Sequence, residues 1–295
     1  MKLELDQDVQ GMLQPERAFD RRDFLSTALG ASAALAAAAS ASALAQEVVT
    51  DAKGLEAGDV SVKVADGTLP AYRAMPATGG PFPVILVAPE VFGLNPHMKD
   101  ICRRLAKAGY FAISPDVYAR KADLTKIPNI ADIIPIVNSK ADSEMMSDFD
   151  ATAAFAKSSG KGDIDRLGMT GFCRGGRTVW MYAAHNPKLR AAVAWYGPLG
   201  GKPSEAMPKY PLDVARDIRV PVLGLYGAKD SGIPLADVDR MRDELKGTGS
   251  KSEFVVYPEA GHGFNADFRP DSYRKADAED GWSRMLAWFK LWGAA

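Results

Sequence analysis

Apolar and polar positions first alternate with a period of two, then switch repeatedly between strand and helix spacing. Val60–Val64 and Leu69–Ala74 alternate on either side of Asp66-Gly67, the pattern of an opening β-hairpin. Phe82–Pro89 is continuously apolar, as expected of a central parallel strand covered on both faces. Met98–Lys107 has helical spacing, Gly109 ends it, and a strand Tyr110–Pro115 follows. The alternation continues through a helix near Ser143–Lys157, a strand Leu167–Gly171, a helix Arg177–His185 and a strand Ala191–Trp195. A strand Val220–Tyr226, a helix around Leu235–Lys246, a strand Ser252–Tyr257 and a last helix Ala276–Trp292 complete it. This alternation predicts an α/β fold: a mostly parallel central sheet, right-handed crossovers and helices on both faces. Ligands of such sheets bind beyond the carboxyl ends of the strands. No internal repeat or long Pro/Gly/Ser linker divides the pattern, so one domain is expected.

The first 45 residues follow another rule. Asp20-Arg21-Arg22-Asp23-Phe24-Leu25 precedes a weakly apolar, Ala- and Ser-rich stretch from Ala28 to Ala45. Ala43-Leu44-Ala45 before Gln46 fits a small-x-small cleavage site, so residues 1–45 read as a twin-arginine signal peptide and 46–295 as the mature domain. The expected location is periplasmic or secreted. A membrane span needs about 20 strongly apolar residues; this stretch is mostly Ala and Ser, so no stable insertion is expected once the signal is removed. Charge narrows the partners. With 36 basic and 37 acidic residues and no basic stripe, neither nucleic acid nor an anionic membrane is the expected main partner. A small-molecule substrate remains.

The chemistry centres on Gly171-Phe172-Cys173-Arg174-Gly175-Gly176, between a predicted strand and a predicted helix. Gly-x-nucleophile-x-Gly in that setting is the nucleophile elbow of hydrolases with this architecture, with cysteine in place of the usual serine. The N–H of Arg174 is then half of an oxyanion hole. A free thiol is only a few per cent ionised at neutral pH and needs a base. Of the three histidines, His97 and His185 lie at helix ends and read as structural. His262, in the Gly-flanked loop after the strand ending at Tyr257, reads as the base. Asp230, in the loop after the preceding strand, is placed to fix its tautomer, while Asp237 and Asp239 read as an exposed helix face. The order Cys, Asp, His suits this architecture. Glu90 ends the Phe82–Pro89 strand, where the N–H of Val91 is expected as the second oxyanion donor. Of the two cysteines, Cys102 reads as core on a helix, with a Cys102–Cys173 bridge as the alternative. The scattered histidines form no metal-ligand cluster and no nucleotide-binding fingerprint occurs, so neither metal nor cofactor is expected.

Taken together, Pro89-Glu90-Val91-Phe92-Gly93, Pro115-Asp116-Val117-Tyr118-Ala119-Arg120, the cysteine elbow, Gly227-Ala228-Lys229-Asp230 and Gly261-His262-Gly263-Phe264 resemble the dienelactone hydrolase family in order and approximate spacing. The resemblance covers roughly residues 58–293 and implies the α/β-hydrolase fold. It also implies hydrolysis of small esters or lactones by a Cys-His-Asp triad, with Glu90 helping to form the thiolate and Arg120 binding a substrate carboxylate. A further family arginine, four residues after the histidine, is here Ala266; Arg269 and Tyr273 resemble a common variant and are the candidates to replace it. A general carboxylesterase, an acyl transferase and a non-catalytic, redox-responsive binding protein are the alternative functions. The oligomeric state is not legible.

Overall fold

The computed structural model describes residues 48–295, so the expected signal peptide lies outside the described residues. Strands β1 (Leu55–Val64) and β2 (Gly67–Pro76) pair along their whole length with Val64 opposite Gly67. The hairpin is longer than the alternation suggested, and its two-residue turn is Ala65-Asp66, one step earlier than expected. Then come β3 (Phe82–Ala88), α1 (Pro96–Lys107) and β4 (Phe111–Pro115). Helix α1 starts two residues before its apolar spacing does, because Asn95 Oδ1 accepts the N–H of Met98 at 3.0 Å and Pro96 occupies the first turn.

Helix α2 (Ile130–Asn138) was not expected: it holds Pro135, and its apolar residues show no clean stripe, Ile130 and Ile134 remaining exposed. Beyond it lie α3 (Asp142–Ser158), β5 (Gly162–Phe172), α4 (Arg174–His185) and β6 (Ala191–Trp195). The chain ends with the short α5 (Pro211–Val214), β7 (Val222–Gly227), α6 (Leu235–Leu245), β8 (Glu253–Tyr257) and α7 (Lys275–Leu291).

Among the described residues, eight strands form one sheet in the order β1-β2-β4-β3-β5-β6-β7-β8. The pairs β1–β2 and β2–β4 are antiparallel and the rest are parallel, with helices on both faces. This order positions the site. From β3 the chain moves outward to β4, then returns to β5 on the other side of β3 and continues to β6. The crevice beyond the carboxyl ends of β3 and β5 is therefore a switch point, where neighbouring connections diverge and leave room for a ligand. Strands β3, β4, β6 and β7 and the second half of β5 are almost wholly buried, and Phe172 stacks on Trp195 (centroids 5.4 Å apart) under the end of β5. Both cysteines are free, so the alternative of a Cys102–Cys173 bridge is excluded. Cys102 is buried on α1, with its thiol 3.9 Å from the carbonyl of Tyr72.

Candidate active site

Cys173 alone makes the turn from β5 to α4, with φ 54° and ψ −117°. A side chain in that region costs on the order of 1–3 kcal/mol and survives only where surrounding bonds impose it. Those bonds are the Cys173 N–H to the carbonyl of Trp195 at 3.0 Å and the Arg177 N–H to the carbonyl of Cys173 at 3.2 Å. The second glycine of the motif is explained by contact: a Cβ on Gly175 would lie 2.7 Å from the carbonyl oxygen of Pro89. The first turn of α4 and the end of β3 can approach only because Gly175 has no side chain. That approach brings the segment carrying Glu90 and Val91 beside the elbow. The N–H of Arg174, in the first turn of α4, has no intrahelical acceptor, and helix α4 begins three residues before its predicted start.

The loops after β7 and β8 are stitched together by two backbone bonds of 2.9 Å, from Ala228 N–H to the Tyr257 carbonyl and from Lys229 N–H to the Ala260 carbonyl. They bring Asp230 Oδ2 to 2.7 Å from His262 Nδ1, while Asp230 Oδ1 accepts the N–H of Gly232 at 2.9 Å. Burial opposes the imidazolium of His262, but its contacts with Asp230 and with the Cys173 sulfur outweigh that and push its pKa up to about 10. The expected trio is thus assembled from the ends of β5, β7 and β8.

Glu90 is buried at the end of β3. Its Oε1 makes a long, 3.5 Å contact with the Tyr196 hydroxyl, and Oε2 is buried without a partner. Burial raises its pKa above the ordinary carboxyl range, against the opposing charges of His97, His262 and Arg269. Tyr196, not singled out in the sequence, follows β6 with φ 37° and lies edge-on to the His262 ring at 5.2 Å. Its phenol is held far from ionisation by burial and by the nearby Glu90 and Cys173. Its position directly beyond a strand's carboxyl end was the available signal. Tyr118, in the segment after β4, is likewise buried near Cys173 and Arg174.

The histidines expected to be structural differ from one another. His185 is half-exposed and meets Asp150 at 2.8 Å on the surface. His97 is buried beside the site, with Nδ1 at 3.1 Å from Asp267 Oδ1 and Nε2 unpartnered. Arg104 holds the other oxygen of Asp267. Burial opposes the charge on Asp267, yet His97 and Arg104 keep its carboxyl below the ordinary range.

The proposed anion-binding arginines also separate. Arg120 is already occupied: Nη2 reaches both oxygens of Asp148 at 2.8 Å and Nη1 reaches Asp66 at 2.9 Å. Lys140 adds a third cation-to-carboxylate bond to Asp148, at 2.8 Å, so Arg120 belongs to a partly buried ion cluster and has no fork left for substrate. Arg269 does reach the site. It lies 5.8 Å from the ring centroid of Phe92, and its charge is felt by Glu90. Tyr273, half-buried, faces the Asp267 side of that loop, and burial raises its pKa to about 12. Phe92, Phe268 and His97, with Leu124 and Ile127, line an adjoining cavity of about 280 Å³.

The strand order, the strained turn after β5 and the two loops that follow β7 and β8 make this chain an α/β-hydrolase. It belongs to the dienelactone hydrolase family, whose model matches residues 69–292. A Methylorubrum extorquens protein named as a carboxymethylenebutenolidase is 53% identical over 284 residues, spanning 96% of this chain and 97% of its own. One of the same name from Escherichia coli K12 is 48% identical, over 87% of this chain and 95% of its own. A crystal structure from Klebsiella pneumoniae, described as a dienelactone hydrolase, superposes with a TM-score of 0.78 at 47% identity, covering 80% of this chain and 98% of that one. The chain is accordingly a hydrolase of ester or lactone bonds.

Proposed function

We propose that the protein hydrolyses small esters or lactones through a Cys173 thiolate, with His262 as acid and base and Asp230 as its orienting partner. The observation that carries this reading is the 2.7 Å contact between Asp230 and His262 Nδ1, which leaves Nε2 as the ring atom for a thiol held on a strained elbow. Glu90 takes the thiol proton, a role favoured by a buried carboxylate whose affinity for protons is raised. The thiolate attacks the acyl carbon, and the N–H groups of Val91 and Arg174 receive the oxyanion. The carbon–oxygen bond of the ester breaks, and the His262 imidazolium, favoured by its raised pKa, protonates the leaving oxygen. Neutral His262 then takes a proton from water as the hydroxide attacks the thioester. The carbon–sulfur bond breaks, and the thiolate and imidazolium are restored. The apolar cavity beside Phe92 and Phe268 suits a small ring, and Arg269 is the cation beside Glu90.

The reading includes export, on the strength of the Arg21-Arg22 leader. Its test is a pair of substitutions. Cys173→Ala should abolish turnover of lactones and aryl esters by several orders of magnitude, while Cys102→Ala stays within a few-fold of the parent. Retained turnover in Cys173→Ala would rule out the thiolate mechanism, and equal losses in both variants would point to a structural role for the thiols.

A further inference from the structure

A cavity of about 760 Å³ lies at the end of the sheet opposite Cys173, where the buried half of β5 begins and where the loops enter β6 and β7. Leu167 in its lining and Cys173 are six positions apart, roughly 20 Å at the rise of a strand, so this space is separate from the catalytic cleft. Its lining is apolar at the bottom: Leu167, Leu189 and Val220 are buried, and Trp292, just beyond α7, forms a wall. Charge is gathered around that surface, with Lys157, Lys188, Arg190 and Arg219 against Asp150 and Asp165. Asp150 is engaged already, accepting from the Tyr182 hydroxyl at 2.9 Å and meeting His185 Nε2 at 2.8 Å. Lys157 sits in the last turn of α3, where a cation is accounted for by the helix end. The arginines are different, because backbone oxygens hold them. Arg190 Nε donates to the carbonyl of Asp165 at 2.8 Å, and Arg219 Nη1 to those of Arg216 and Ile218 at 2.5 and 3.3 Å. A carbonyl fixes a guanidinium in place without neutralising it, and each fork keeps donors free for another acceptor.

We propose that this cavity is a second binding site, for a small aromatic carboxylate whose ring lies on the Leu167, Val220 and Trp292 surface and whose charge is taken by Arg190 and Arg219. A volume of a few hundred Å³, an apolar lining and a few polar groups on neighbouring loops are what a small-molecule site requires. The surplus of cations selects an anion, and two planar forks suit a carboxylate better than point charges would. Asp165 on the same rim limits the charge: it repels an extended polyanion, so one acid on an apolar body is the better match. Trp292 offers an aromatic face to the ring. The site shares no lining residue with the cleft around Cys173, Asp230 and His262, so its occupancy can be read apart from turnover.

Isothermal titration with 2-naphthoate and with 2-naphthamide, its uncharged analogue of equal shape, tests this. The parent should bind the acid, and the amide at least about tenfold more weakly. Arg190→Met combined with Arg219→Met should weaken the acid by about 10- to 100-fold while leaving the amide within about two-fold. Ala154→Trp puts a large ring into the exposed α3 wall of the cavity without touching a charge, and should abolish binding of both compounds. It also carries the decision should the arginine variant fail to fold. A parent that binds neither compound, or binds the amide as tightly as the acid, would overturn the site. Equal affinity for the acid in the parent and the arginine variant, or unchanged binding in Ala154→Trp, would overturn it as well. Displacement of 2-naphthoate by inorganic phosphate at equal concentration would reduce the arginines to a general anion sink and overturn recognition of an apolar acid.

Discussion

Asp230 is almost completely buried, His262 keeps about a third of its side chain exposed (1% against 34%), and the two meet at 2.7 Å. The acid is thus shielded while the ring retains one edge toward the cleft. A buried carboxylate favours the charged ring, which is why the His262 pKa rises although burial alone would lower it.

That relation sets a pH signature. The folded pKa of His262, about 10, lies above the ordinary histidine value near 6.5. Its contribution to stability is therefore full below about pH 6.5 and is lost as pH rises through about 10. Asp230→Asn should remove most of it, so the stability gap between parent and variant should be widest at pH 6 and narrow steadily toward pH 10. Urea unfolding across that range reads the gap. A gap that widens with pH would contradict the ion pair, and kcat should fall by about four orders of magnitude as the ring loses its orientation.

Glu90 should act on thiol ionisation. Glu90→Gln preserves volume but removes the base, so the acylation rate should fall at neutral pH. The loss should shrink as pH approaches the free thiol value of about 8.5. Single-turnover acylation between pH 6 and 9 separates this from a packing role, which would give a constant ratio of variant to parent.

Arg120 should matter to the fold and little to the substrate. Arg120→Met removes bonds to Asp148 and Asp66, leaves Lys140 on Asp148, and should cost about 1.5–3 kcal/mol of stability. KM for monomethyl succinate should stay within a few-fold of the parent. A large rise in KM at unchanged stability would restore the carboxylate-binding role that the resemblance implied.

Export is testable without the enzyme assay. Replacing Arg21-Arg22 by Lys-Lys should leave the precursor in the cytoplasm, since a receptor reads the arginine pair. Normal export and cleavage of that variant would assign the leader to another pathway.

The parts legible in the sequence are those whose causes are local. Burial on two faces makes β3, β6 and β7 continuous apolar runs, and period-two alternation marks the β1–β2 hairpin, so the class of fold could be read directly. The elbow could be read because its steric demand, Gly175 against the end of β3, is written within six residues. His262 and Asp230 followed from their places after consecutive strands. Helix α2 escaped because Pro135 and all-round apolar residues blur its period. Other features depended on partners distant in the chain. His97 meets Asp267 across 170 residues, and Arg120 meets Asp66 across 54. Nε and Nη2 of Arg174 are buried without a partner, while Arg177, one helical turn away, takes Asp142 from 35 positions upstream. Side-chain type and spacing determine which residues could carry charge to the site. Which cation is neutralised is decided only when folding brings one carboxylate within about 3 Å of one guanidinium, since a bond that short admits few partners.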